Sequence, residues 1–238
     1  MVHRLLHFKR GRGLLLLIFI SIGTLQCGIP SNPYLYPPKY SKDATGGNTT
    51  FEFYNDTRTN ILYLEGFEIY YKFYSDDTGD TSYTSDLTQI EALSDGQESQ
   101  TLTTLQNLQF HRMYNKVNPE NYTKPLLSID AEDKNTEFLV TVDFSFLNSA
   151  DKPNPVITFS GSSIEIGRYV TVDSSIEYYL ESFLPANFQE ETYSDIDSSL
   201  LSESFINIAL VVFTYGVDES LSILHSLPLH LGRIRLST

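Results

Sequence analysis

The sequence predicts an all-β chain, an antiparallel β-sandwich carrying one long insertion of loops and short helices. Three observations lead there. Residues 67–74 and 137–146 alternate apolar and polar side chains with a period of two, as strands with one face in a core do. Residues 206–215 are apolar throughout, in a short β-branched run that suits a central strand. The chain also holds 16 Tyr and 15 Phe, side chains that fit a pleated, half-buried surface.

Taken in order, residues 51–54 form the first strand and Asn55-Asp56 a turn. In the next strand Phe67, Ile69, Tyr71 and Phe73 share one face, and Glu68, Tyr70, Lys72 and Tyr74 share the other. Periodicity then weakens through a stretch rich in Ser, Thr, Asp and Gln, read as an insertion at about 77–130. Within it residues 86–91 predict the start of a helix, since Glu91 follows Thr88 by three as in a capping box. Leu102, Leu105 and Leu108 have near-helical spacing. Long insertions in a rigid scaffold often carry the binding function.

Strand character returns with Phe138, Val140, Val142, Phe144 and Phe146 on one face. Pro153-Asn154-Pro155 turns the chain into strands at 156–159 and 163–172. For 174–184 the pattern predicts a short helix: Ser174 and Glu177 fit a cap, Ile176, Leu180 and Phe183 share a face, and Pro185 stops it. Residues 216–219 form a loop after the central strand. An edge strand at 228–236 closes the chain, with a proline at its start where a lost amide donor is not missed.

The amino terminus reads differently. Arg4, Lys9, Arg10 and Arg12 precede a short apolar run at 14–22, with no acid before Cys27. A membrane-spanning helix takes about 20 residues for a ~30 Å hydrocarbon core, so the run is the core of a secretory signal at 1–26. Thr24-Leu25-Gln26-Cys27 resembles the lipobox of bacterial lipoproteins, in the relaxed form that spirochaete lipoproteins tolerate. That resemblance implies cleavage before Cys27, a lipid on its thiol and acylation of the new amine. More than one acyl chain is what stable anchoring needs. The lone cysteine also has no disulfide partner within the chain, which agrees with a modified thiol.

Residues 27–48 interleave Pro30, Pro33, Pro37 and Pro38 with Tyr34, Tyr36 and Tyr40. Proline restricts itself and the residue before it, so the segment is extended. It serves either as a lipidated tether or as a strip whose tyrosines pack back on the domain. A single domain, 49–238, follows. The run GFEIYYKFY and the closing ALVVFTYGVDES with HSLPLHLGRI resemble the third and the last two strands of a fibronectin type III domain, an immunoglobulin-like sandwich. Together with the leader and the Pro-Tyr-rich start, they make the chain similar to lipoproteins of Leptospira-type spirochaetes.

Composition narrows the function. The net charge is −14, and loss of the basic leader makes the mature chain more acidic still. Nucleic acid is excluded as a partner, because phosphate binding needs clustered Lys and Arg. Adsorption to anionic lipid is disfavoured too, which leaves the N-terminal lipid as the membrane link. No cofactor is expected: G-x-S-x-G, G-x-G-x-x-G and a phosphate loop are all absent from the sequence. His225 and His230 are five apart, not spaced as zinc ligands on one helix face. Asp76, Asp77 and Asp80, and Asp195 with Asp197, read as acidic turns rather than calcium loops.

Tyr70 and Tyr74, taken as exposed, are the candidates to stack on a sugar or contact a protein; otherwise they cover the outer sheet face as a cross-strand pair. The resulting expectation is a non-enzymatic, lipid-anchored protein of the cell envelope, on the outer membrane or cell surface, binding a protein or glycan through its loops. The alternatives are an exported hydrolase, built on His111 with an acid and a nucleophilic Ser or Thr in the 77–130 insertion, or a structural subunit of an envelope assembly.

Overall fold

Two long strands set the frame: β3 (Leu64–Ser75) and β10 (Phe205–Val217) pair antiparallel, from Leu64 opposite Gly216 to Ser75 opposite Ile206. The computed structural model describes residues 33–42, 49–75, 81–119, 124–145, 154–171, 178–183, 193–202 and 205–237. The leader, Cys27, the first part of the Pro-rich stretch and the Asp76, Asp77 and Asp80 cluster lie outside them. Residues Tyr34–Thr238 form one compact unit.

Around the pair lie β1 (Lys39–Lys42), β2 (Thr50–Tyr54), β4 (His111–Asn115), β5 (Leu127–Ser128), β6 (Leu139–Asp143) and β7 (Val156–Phe159). The remainder are β8 (Ser162–Thr171), β9 (Tyr178–Glu181), β11 (Ile223–His225) and β12 (Leu229–Ser237). Two helices, α1 (Ser82–Glu91) and α2 (Thr101–Asn107), occupy the insertion. The strands form one antiparallel sheet in the order β1-β2-β6-β7-β8-β4-β3-β10-β11. β12 also pairs with β10, β5 with β3 and β9 with β8. The sheet curls until β12 lies against β1 and β2.

The fold is therefore all-β, as expected, but its strands join into one curled sheet rather than two separate layers. The joint is β8. Ser162 to Glu165 pair with β7, Ile166 to Arg168 pair with β4, and Arg168 to Thr171 pair with β9. A strand of this length reaches past one partner to engage the next.

Alternation along β3 and β10 fills both faces. Phe67, Ile69, Tyr71 and Phe73 meet Ile206, Ile208, Leu210 and Val212 in the main core inside the curl. Tyr70 and Tyr74 meet Ala209, Val211 and Phe213 outside it, under Ile90 of α1 and Leu105 of α2. This double burial is why β10 reads as apolar throughout. Thr88 lies inside α1 rather than at its start; its hydroxyl donates back to the Thr84 carbonyl at 2.8 Å, so the expected capping box is absent.

Two further expectations are revised. Tyr178–Glu181 is strand, not helix, because the edge of β8 offers it a ladder from Arg168 to Thr171, and tertiary pairing outweighs local helical spacing. Phe183 instead enters the main core, edge-on to Tyr71. Ser174, Ile176, Glu177 and Pro185 lie outside the described residues. The described part of the Pro-Tyr stretch packs on the domain: Leu35 is fully buried, and the Tyr36 carbonyl accepts from the Thr214 hydroxyl at 2.7 Å.

Gly66 marks the tightest approach in the frame, since a Cβ there would stand 1.8 Å from the Leu127 carbonyl oxygen of β5. Gly66→Ala should therefore destabilise the fold by ~3 kcal/mol, as overpacking against backbone does. Thermal unfolding measures it; an unchanged midpoint would contradict this packing.

Candidate functional site

Outside the curl, the helices cover only part of the β3–β10 ladder. Beside α2 a groove of about 430 Å³ stays open, and its floor is aromatic. Register builds it. In β4 Met113 points into the main core, so Arg112 and Tyr114 point out; in β8 Arg168 points in, so Tyr169 points out. Tyr114 and Tyr169 sit 5.3 Å apart between ring centroids. Tyr70 stacks on Phe213 at 5.5 Å, and Phe213 meets His225 at 5.0 Å. Tyr215 flanks His225 at 5.9 Å. The rings thus cross β8, β4, β3, β10 and β11, neighbours in that order.

One ion pair lies in this floor. Arg112 holds Glu68 through two hydrogen bonds, 2.5 and 2.7 Å, and donates a third to the Lys124 carbonyl at 2.8 Å. Burial pushes the Glu68 carboxyl above its usual range, and Arg112 offsets only part of that. Burial likewise depresses the His225 imidazole. It lowers His111 as well, against the opposing pull of Asp195. Both imidazoles therefore favour the neutral form, with one ring nitrogen donating and the other accepting.

A second, larger groove of about 860 Å³ adjoins the first. It runs between the helices and the segment 193–200, and it contains His111, Ser194, Asp195 and Ser199. That is the company a hydrolase would use, but the acid is engaged elsewhere. Asp195 receives two hydrogen bonds from fully buried Arg168, 2.7 and 2.9 Å, and one from the Tyr71 hydroxyl at 2.5 Å. The Arg168 guanidinium also lies over the Tyr193 ring at 4.6 Å. Among the described residues no hydrogen bond joins His111 to Asp195, so the groove holds no assembled proton relay.

Tyr70 and Tyr74 are not exposed as expected: they are 9% and 2% accessible. The helices of the insertion cover them, a placement that strand periodicity does not reveal. Tyr70 still forms part of the first groove's floor, whereas the Tyr74 hydroxyl donates to Asp86 of α1 at 2.9 Å. His225 and His230 do not converge either; His225 joins the aromatic floor, and His230 Nε2 lies 3.3 Å from the Tyr83 hydroxyl. Among the described residues no cluster of His, Cys, Asp and Glu is placed to hold a metal.

Sequence reasoning missed Tyr114, Tyr169, Tyr215 and the Glu68–Arg112 pair. The spacing of Arg112 and Tyr114 is a face signal, but nothing local says that β4 lies between β3 and β8. Comparison with protein-family models, with curated proteins and with solved structures finds no match.

The depressed imidazoles make stability pH-dependent. The unfolded chain binds protons near the ordinary histidine value of 6.5 that the folded chain refuses, so stability is full above that value and is lost as pH falls below it. His225→Phe keeps the ring contact with Phe213 and should flatten part of that loss. Urea midpoints on either side of pH 6.5 measure it; identical slopes for both proteins would contradict the burial of His225.

Proposed function

We propose that the chain is a lipid-anchored protein of a bacterial cell envelope that binds a carbohydrate in the aromatic groove and performs no chemistry on it. One observation carries the binding part: the half-buried rings of Tyr114, Tyr169 and His225 face a groove backed by the buried rings of Tyr70, Phe213 and Tyr215, beside polar groups that fix orientation. The flat apolar faces of sugar rings stack on such platforms, and the polar tips of Tyr and His meet their hydroxyls. Largely preformed grooves with a few convergent polar groups are where small ligands bind.

The anchor rests on the leader and on Cys27. The fibronectin type III resemblance draws support from strand order: β3, β10 and β12, which carry it, are neighbours in that order, as strands C, F and G are in one sheet of the immunoglobulin fold. In this reading the acidic chain stays soluble beside its membrane and relies on the lipid to remain there.

Two measurements test the two halves. Native electrophoresis through gels cast with soluble neutral polysaccharides should retard the protein. Tyr114→Ala with Tyr169→Ala should abolish the retardation while unfolding cooperatively; unretarded wild type in every gel would discard the carbohydrate reading. Detergent phase partition of protein from envelopes should place wild type in the detergent phase and Cys27→Ala in the aqueous phase. Both proteins in the aqueous phase would remove the anchor.

A further inference from the structure

The two grooves share a border. Gln106 of α2, with Phe110 and His111 at the start of β4, lines both of them. Phe110 is buried and serves as floor, while Gln106 is exposed and His111 half-buried. The aromatic groove and the larger one therefore meet at these three residues, beside α2.

Three carboxylates along this path, Glu68, Asp86 and Asp195, are each paired with a cation. Glu68 is held by Arg112 in the first groove. In the second, Lys72 is held by Asp86 at 2.6 Å and also donates to the Leu108 carbonyl at 2.8 Å. Asp195 is held by Arg168. Asp197 spends its carboxylate on the Ser199 backbone amide at 2.8 Å. A polyanion finds no uncommitted cation among these groups and meets the repulsion of an acidic chain. A polycation finds three of the four carboxylates already paired and only Asp197 still carrying an unmatched charge. What remains along the path are the half-buried rings, the amide of Gln106, the imidazole of His111 and the Ser194 hydroxyl, which accepts from the Thr171 amide at 3.1 Å and keeps its proton to donate.

On the reading of the aromatic groove as a sugar site, we infer that the two grooves form one cleft for a linear, uncharged polysaccharide, which crosses from one to the other beside Gln106 and His111. The ring-lined groove holds one stretch of the chain by stacking. The larger groove holds the next through hydroxyl, amide and imidazole groups. The ligand is thus a polymer read by length, not a free monosaccharide.

Isothermal titration of the mature protein with neutral cello-, malto- and chito-oligosaccharide ladders, from disaccharide to octasaccharide, tests this. Affinity for at least one ladder should climb by about a hundredfold with length, then level off once both grooves are filled. Gln106→Ala, on the exposed side of α2, and His111→Gln should each weaken the longest oligomer about three- to tenfold and the shortest binder by distinctly less. A sulfated oligomer of matched length should bind at least tenfold more weakly than the neutral one.

Length-independent binding, or equal losses for short and long oligomers in both variants, would overturn the continuous cleft and leave the aromatic site standing. Tighter binding of the sulfated oligomer would overturn the uncharged ligand. Failure of every ladder and of the parent polysaccharides would bring down the underlying carbohydrate reading as well.

Discussion

The molecule depends on a ladder that is buried on both sides. β3 and β10 are the longest strands, and their inner faces meet in the main core while their outer faces lie partly under two helices. A strand in that position keeps little surface for solvent, so the polar residues on it need partners of their own. Glu68 has Arg112, Lys72 has Asp86 and the Leu108 carbonyl, and the Tyr74 hydroxyl has Asp86. Lys72 in particular ties both helices to the sheet, since Asp86 belongs to α1 and Leu108 follows α2. The insertion is thereby held as a fixed wall of the groove.

Buried ion pairs are a weak source of stability, because desolvation can outweigh their attraction. Their effect here is on specificity. Arg168 and Asp195 are both fully buried at the side-chain level, with Tyr71 hydrogen-bonded to the same carboxylate. Removing one partner would strand a charge in the core, at a cost of about 3–5 kcal/mol. That pair fixes the segment 193–200 against β8, and the segment forms the far wall of the larger groove. The bonds that occupy Asp195 also neutralise that carboxylate and hold the wall in place.

The scaffold was largely legible from periodicity, and the site was not. Alternation at 67–74 assigned every side chain of that strand to the correct face, and the apolar run at 206–215 marked the central strand. Those signals are local, because the period of two is written into each strand. The site instead arises from which strands become neighbours. Tyr114 and Tyr169 meet only because β4 lies between β3 and β8, and their separation along the chain gives no hint of it. The expected exposure of Tyr70 and Tyr74 failed for the same reason: whether an outer face is bare depends on where the insertion packs. At 178–181 a helical spacing lost to an available sheet edge, a choice that only tertiary structure can make.

Ligand contact with this particular sheet face is the decisive point. Aromatic, histidine and backbone amide resonances of the protein, followed by NMR through a titration with a neutral oligosaccharide, test that directly. Shifts concentrated on Tyr114, Tyr169, Tyr215, His225 and His111, with the Ser160–Gly161 turn between β7 and β8 unmoved, are the predicted result. Shifts at that distant turn, with the ring-lined face silent, would contradict it.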